Sequence, residues 1–209
     1  TARAMMKARM VNAAAFLALY VAFLSWYNGW GMEPLTASEV DSLVGKVVAQ
    51  GADPDQLKNL RQMAKGDDGE EFFMLNLNRY DYAEGEPQQG VPADYQKYGQ
   101  VVIQMILKNA GHPIFSGEFP DFLVAGELEN ANWHEIILVR YRSRRDFLNM
   151  VTSDEYLKIA QHRSGGIQYA EVAPTRAGIN LVTPRFVVFA FMAILALLID
   201  TVIRRKSQL

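Results

Sequence analysis

The sequence predicts an α+β domain held between two membrane-crossing helices, and three observations predict it. Two long stretches near the ends are apolar and almost free of charge. Between them the apolar residues switch between a period of two and a period of 3.6, the patterns of half-buried strands and of amphipathic helices. Glycine, proline and capping residues mark the changes from one pattern to the other.

Residues 11–30 carry no charge over 20 positions. At a helical rise of about 1.5 Å per residue, such a run covers roughly the 30 Å of a hydrocarbon core. Residues 186–203 give a second run with a single acid, Asp200, near its end. A cleaved signal peptide is the alternative for the first run, since Arg3, Lys7 and Arg9 precede it. A signal, however, has a shorter apolar core and small residues at a cleavage site. This run closes on Ser25-Trp26-Tyr27-Asn28-Gly29-Trp30, an aromatic end suited to the membrane interface. The second run is apolar all round and closes on Arg204-Arg205-Lys206, as a stop-transfer helix does.

Short basic flanks stay on the cytoplasmic side of a membrane. Residues 32–183 hold 22 acids and 14 bases, whereas both apolar runs have bases at their outer ends. The expected arrangement in a bacterial inner membrane therefore has both termini cytoplasmic and the middle of the chain in the periplasm. With eight more acids than bases, that middle region is a poor partner for nucleic acid or anionic lipid. The chain has no cysteine, which excludes disulfides, thiolate metal sites and a cysteine nucleophile.

The expected organisation is a basic tail at 1–10, a span at 11–30, a helical hairpin at 31–69, an α+β domain at 70–178, a linker at 179–185, a span at 186–203 and a basic tail at 204–209. In the hairpin, Thr36 and Glu39 have capping-box spacing, Gly51 ends the first helix, and Asp53-Pro54 opens a second that runs to Lys65. Gly66-Asp67-Asp68-Gly69 is a turn. Residues 72–80 then read as a strand, 81–90 as a polar loop and 92–110 as a helix stopped by Gly111. Residues 114–119 and 121–126 read as a strand or hairpin broken at Pro120, and 133–142 as the clearest strand. One helix over 143–162, capped by Ser143, and a short strand at 168–172 complete the pattern. Strand, helix, strand, strand, helix, strand is the ferredoxin-like order.

Particular residues carry a family likeness. Phe73-Met74-Leu75-Asn76-Leu77, Tyr95 and Tyr98, Trp133-His134-Glu135, Val139-Arg140-Tyr141-Arg142-Ser143-Arg144, Phe147-Leu148-Asn149-Met150, Ser153-Asp154-Glu155-Tyr156 and His162-Arg163 resemble the family called domain of unknown function 1330. The resemblance spans residues 55–176. It implies a dimeric α+β barrel, in which two ferredoxin-like protomers join their sheets, and a superfamily that includes cofactor-independent oxygenases and isomerases.

If the two central strands present their even positions together, Asn76, Asn78, His134 and Arg140 share one face. Such a cluster would bind a small anionic or carbonyl-bearing ligand, with Arg140 as charge partner and His134 as proton carrier. The bland alternative gives the same residues to subunit contacts. His112, His134 and His162 have no metal-ligand spacing, and no phosphate loop or nucleophile elbow occurs, so no metal and no cofactor is expected.

Two functions from different classes follow. The first is an accessory or assembly subunit of a larger inner-membrane complex, with a photosynthetic or respiratory host. Its partners would be integral membrane subunits and the lipid bilayer, with self-association through the sheet as a further contact. The second is a membrane-tethered, cofactor-independent oxygenase or isomerase of the dimeric α+β barrel type.

Overall fold

The computed structural model describes residues 2–49, 51–87, 89–119, 132–180 and 183–206. They belong to two compact units, one formed by residues 1–30 with 179–209 and the other by residues 31–178.

The first unit pairs α1 (Ala2–Asn28) with α7 (Pro184–Lys206), both long and apolar enough to cross a membrane. Helix α1 begins well ahead of the uncharged stretch, because Ala, Met, Lys and Arg are good helix formers. Its polar contacts with α7 fall at Arg9, Asn12, Tyr20 and Asn28, three or eight residues apart, so they lie on one face. Asn12 Nδ2 donates to Ala196 O at 2.9 Å, Tyr20 Oη donates to Arg185 O at 3.2 Å, and the Tyr20 and Phe189 rings lie 5.3 Å apart. Asp200 accepts from Arg204 at 2.9 Å, the pairing its spacing predicts. It also accepts from Arg9 of the other helix at 2.6 Å. Asn12, Tyr20 and Asp200 thus find protein partners across the pair, while Thr201 Oγ1 donates to Leu198 O of its own helix at 2.7 Å, as a hydrocarbon surrounding demands of polar groups.

The second unit is α+β and ferredoxin-like, with a helical hairpin in front. Helix α2 (Ala37–Val48) carries the full Thr36/Glu39 capping box, and α3 (Pro54–Lys65) is capped by Asp53, whose carboxylate accepts from Gln56 N at 2.8 Å. Gly69 has φ +75°, and a Cβ there would sit 2.8 Å from Met32 O. Then follow β1 (Phe72–Tyr80), α4 (Ala93–Lys108), β2 (His112–Glu118), β3 (Glu135–Tyr141), α5 (Arg144–Val151), α6 (Asp154–Gly165) and β4 (Ile167–Thr175). The strands order β2-β3-β1-β4, with every neighbouring pair antiparallel.

Several boundaries differ from the sequence expectation; β2, for one, begins at His112 rather than at 114. The helix expected over 143–162 is two helices, because Ser153 starts a second one: its hydroxyl donates to Met150 O at 2.7 Å and accepts from Tyr156 N at 3.2 Å. The turn after α4 is made by Ala110 at φ 56° rather than by Gly111. Gly111 is needed for room instead, since a Cβ there would lie 2.8 Å from Ile106 Cγ2 and 3.0 Å from Arg140 O. Strand β4 continues to Thr175, beyond the expected 172. The strand or hairpin expected at 121–126, and the break at Pro120, lie outside the described residues.

All the helices that cover the sheet bury one face of it. Phe72, Met74, Val139 and Tyr141 pack with Tyr98, Val102, Met105 and Ile106 of α4 and with Met150 of α5. The hairpin is part of this packing rather than an appendage. Leu43 of α2 and Ala64 of α3 close on Leu148 of α5, which is 1% exposed, with Leu60 and Met63 beside them.

Candidate functional site

The strand register corrects the expected cluster. In the β1–β3 ladder Asn76 stands opposite Ile137, Asn78 opposite Glu135, and Phe73 opposite Arg140. Even positions of β1 therefore share a face with odd positions of β3, and Arg140 points away from Asn76 and Asn78. Parity within one strand is legible from sequence, but the offset between two strands is set by their pairing, and a shift of one residue exchanges the faces.

Each of the four residues has its own place. Asn76 donates to Met74 O at 3.2 Å and Ile137 O at 3.4 Å. Asn78 is fully buried and donates to Tyr95 Oη at 3.2 Å, while its Oδ1 has no partner among the described residues. Arg140 is 1% exposed and donates through Nε to Glu71 at 2.8 Å and through Nη1 to Ala110 O at 2.7 Å. His134 lies one residue before β3, and its amide donates to Asn78 O at 2.9 Å.

His134 gathers a different set of neighbours. Its Nδ1 accepts from the backbone N–H of Tyr80 at 3.0 Å. That nitrogen is therefore the unprotonated one, and Nε2 carries the proton of the neutral ring. The Tyr80 and Tyr82 rings lie 6.0 Å and 5.9 Å from the imidazole. Tyr80 Oη donates to Oε2 of Glu135, and Ser116 Oγ donates to Oε1 of the same carboxylate at 2.7 Å. Glu135 is 9% exposed, so the two hydroxyls replace the water a carboxylate would otherwise bind. Two hollows of about 280 and 450 Å³ meet at this point, and His134, Tyr80 and Tyr82 line both.

The phenols stay protonated. Burial, followed by the hydrogen bond to Glu135, pushes the Tyr80 hydroxyl far above its ordinary value. Burial likewise raises Tyr82, with Glu118 and Glu86 adding to it, and raises Tyr95 and Tyr98 in the core. Near neutral pH these groups are donors, not bases. The O–H of Tyr80 is spent on Glu135 and that of Tyr82 on Gly90 O at 2.9 Å, so the hollows set the N–H of His134 beside the acidic Glu118 and Glu135, an arrangement for a small ligand with both acceptor and donor groups.

Sequence reasoning missed Tyr80, Tyr82, Glu135 and Ser116. The signal was present in Tyr80-Asp81-Tyr82 and in Trp133-His134-Glu135, each at the end of a predicted strand. The other histidines stand apart: His112 Nδ1 is 3.0 Å from Pro113 O, and His162 is 3.3 Å from Asp94. Asp94 is held below the usual carboxylate range first by Lys97 and then by His162. The basic run is dispersed, with Arg142 on Asp146 at 2.6 Å, Arg144 on Met63 O at 3.2 Å, and Arg145 on Glu39. Among the described residues no three His, Asp or Glu side chains are arranged to hold a metal ion.

Comparison with known proteins defines the class of the central domain and no more. No protein-family model matches the sequence, and no curated protein does either. Among solved structures the chain is similar to RPA0582, a protein of unknown function from Rhodopseudomonas palustris, at 19% identity and a TM-score of 0.51, over 59% of this chain and 94% of that one. The methylated RPA0582 protein gives 20% identity and a TM-score of 0.48, over 61% and 92% of the two chains. A hydroxynitrile lyase from Passiflora edulis gives 18% identity and a TM-score of 0.36, over 56% and 99%. The likeness to RPA0582 is one of fold, and it agrees with the ferredoxin-like sheet.

Proposed function

We propose that this protein is a membrane-anchored accessory or assembly subunit of a larger bacterial inner-membrane complex, with a photosynthetic or respiratory host. Both termini are cytoplasmic in this reading and the ferredoxin-like domain is periplasmic. The observation that carries it is the dispersal of Asn76, Asn78, His134 and Arg140. The register divides them between faces, and Arg140, the one strong anion anchor among them, is committed to Glu71 and Ala110 inside the fold. The residues resembling the domain of unknown function 1330 family fit such a domain. Leu75, Ile136 and Leu138, half-buried on the face opposite the helices, and Phe115, 54% exposed, support self-association through the sheet. Integral membrane partners would meet the outer faces of α1 and α7, where Leu17, Val21, Phe191 and Leu197 are exposed.

The test compares two full-length variants, one with residues 11–30 replaced by an unrelated apolar helix and one carrying Asn76→Ala and His134→Ala. Isolation in mild detergent should recover partners with the alanine variant and lose them with the span variant. Partners retained by both, with host activity lost only in the alanine variant, would reject the accessory role.

A second reading is a membrane-tethered, cofactor-independent oxygenase or isomerase. The pair of hollows around His134, with its fixed tautomer and protonated tyrosines, favours it. Turnover of a small carbonyl compound that His134→Ala reduces by about 10² or more would establish it.

A further inference from the structure

A separate cleft lies toward the other end of β1 from His134. It has a volume of about 720 Å³ and is bounded by α3, α5 and the edge strand β4, with Met74 of β1 at its floor. That size is within the range of roughly 300–1,000 Å³ of small-molecule sites, which are mostly apolar with a few polar groups. Its walls include Leu60, Met63, Phe147, Val151 and Val172. Val172 is 45% exposed although it is on the helix-covered face of the sheet, opposite Asn76 in the β1–β4 ladder. The helical layer leaves the outer part of β4 uncovered, and the two methionines give the walls an adaptable surface.

Among the described residues one charged side chain lines this cleft, that of Arg144. In the run of four arginines, Arg140 has Glu71, Arg142 has Asp146 and Arg145 has Glu39. Arg144 has no carboxylate partner among the described residues. Its Nη1 donates to Met63 O at 3.2 Å, and its guanidinium lies over the Phe72 ring at 5.9 Å. It stands in the first turn of α5, where the helix dipole disfavours a cation. Gly66 keeps the place open, since a Cβ there would overlap the guanidinium. On the outer side of α3, a second hollow sharing Gln62 is lined by Lys58, Arg61 and Lys65 and, among the described residues, by no acid.

We propose that this cleft binds a single-chain anionic amphiphile, a long-chain carboxylate of the fatty-acid class. The tail lies along Leu60, Met63 and Val172, and the head group accepts from Arg144, whose planar fork suits a carboxylate. This site shares no residue with the His134 hollows and does not depend on the accessory role.

The experiment uses the full chain in nanodiscs of zwitterionic lipid, irradiated with a diazirine-bearing palmitate and mapped by peptide mass spectrometry. Adducts are expected on peptides from residues 57–66, 72–80 and 167–175, in addition to adducts on the two apolar helices. Val172→Trp, which fills the cleft from an exposed strand position, should remove the domain adducts and leave the others. Arg144→Gln should lower domain labelling about tenfold, and the matching long-chain alcohol should label the wild-type domain about as weakly. Labelling confined to α1 and α7, or domain labelling indifferent to both substitutions, would overturn the proposal. Domain labelling by an anionic phospholipid bearing the same photogroup, in place of the free carboxylate, would overturn the assignment to fatty acids.

Discussion

Arg145, at the start of α5, holds Glu39, in the first turn of α2, with both arms of its guanidinium. The same arginine donates to Glu33 O and Pro34 O at 2.9 Å each, so one side chain fastens the lead-in of the hairpin to the α+β domain. Glu39 is depressed from 4.5 to about 2, first by the hydrogen bond from Arg145 and then by the Thr36 amide and hydroxyl. A carboxyl with a lowered folded value contributes stability that is present above its unfolded value and is lost as pH falls through its folded one. The protection of α2 amides relative to their intrinsic exchange rate should therefore fall as pH drops from 4.5 toward 2, and Glu39→Gln should flatten that dependence. An acid limb unchanged by the substitution would remove Glu39 as its cause.

Removing Arg140 should destabilise the domain far more than removing His134. Arg140→Ala strips the donor from Ala110 O and leaves Glu71 without its cation. Losing one partner of a buried pair typically costs about 3–5 kcal/mol, and Glu71, at 28% exposed, points to the lower end, about 3 kcal/mol. His134→Ala loses one hydrogen bond to a backbone amide, about 1 kcal/mol. Urea unfolding of the full chain in detergent gives both values, and similar midpoints for the two variants would contradict the assignment.

Most elements were legible because local chemistry marks them. The Thr36/Glu39 box, Asp53-Pro54 and the alternation in β1 fixed three element starts without tertiary information. The site was less legible because it depends on pairing. Nothing within β1 or β3 alone states that Asn78 meets Glu135 rather than His134, and that single residue of offset dispersed the expected cluster. Ser153 was a cap overlooked inside a run that kept helical periodicity on both sides. In the sequence Arg9 has the place of a topological flank, and its bond to Asp200 needs a contact between residues 191 positions apart.

The Ser153 cap carries its own expectation. Ser153→Ala should cost about 1 kcal/mol, in line with loss of an N-cap hydrogen bond, and should speed exchange of the Tyr156 amide more than that of residues within α5. Equal acceleration in both helices would mean that they behave as one.

Arg9 and Asp200 should show coupling between the two apolar helices. A double-mutant cycle with Arg9→Gln and Asp200→Asn, read as helix-pair dissociation in a bilayer, should return a coupling of about 0.6 kcal/mol, the mean for side-chain hydrogen bonds in membranes. Zero coupling would confine the pair to a solvated end.

Orientation has a direct test. A reporter active only in the periplasm, fused after Gly66, should be active, because the bases flank the outer ends of both apolar helices. Activity of a cytoplasmic reporter at the same position would reverse the arrangement.

The three tryptophans divide between the two units in a way that gives the molecule its own optical labels. Trp133 is 3% exposed and stacks on Tyr169 at 5.4 Å, whereas Trp26 and Trp30 are about half exposed on and just after the first apolar helix. In a chain carrying Trp26→Phe and Trp30→Phe, emission comes from the α+β domain alone. Its red shift on denaturation then follows the unfolding of that domain while the helices stay in detergent.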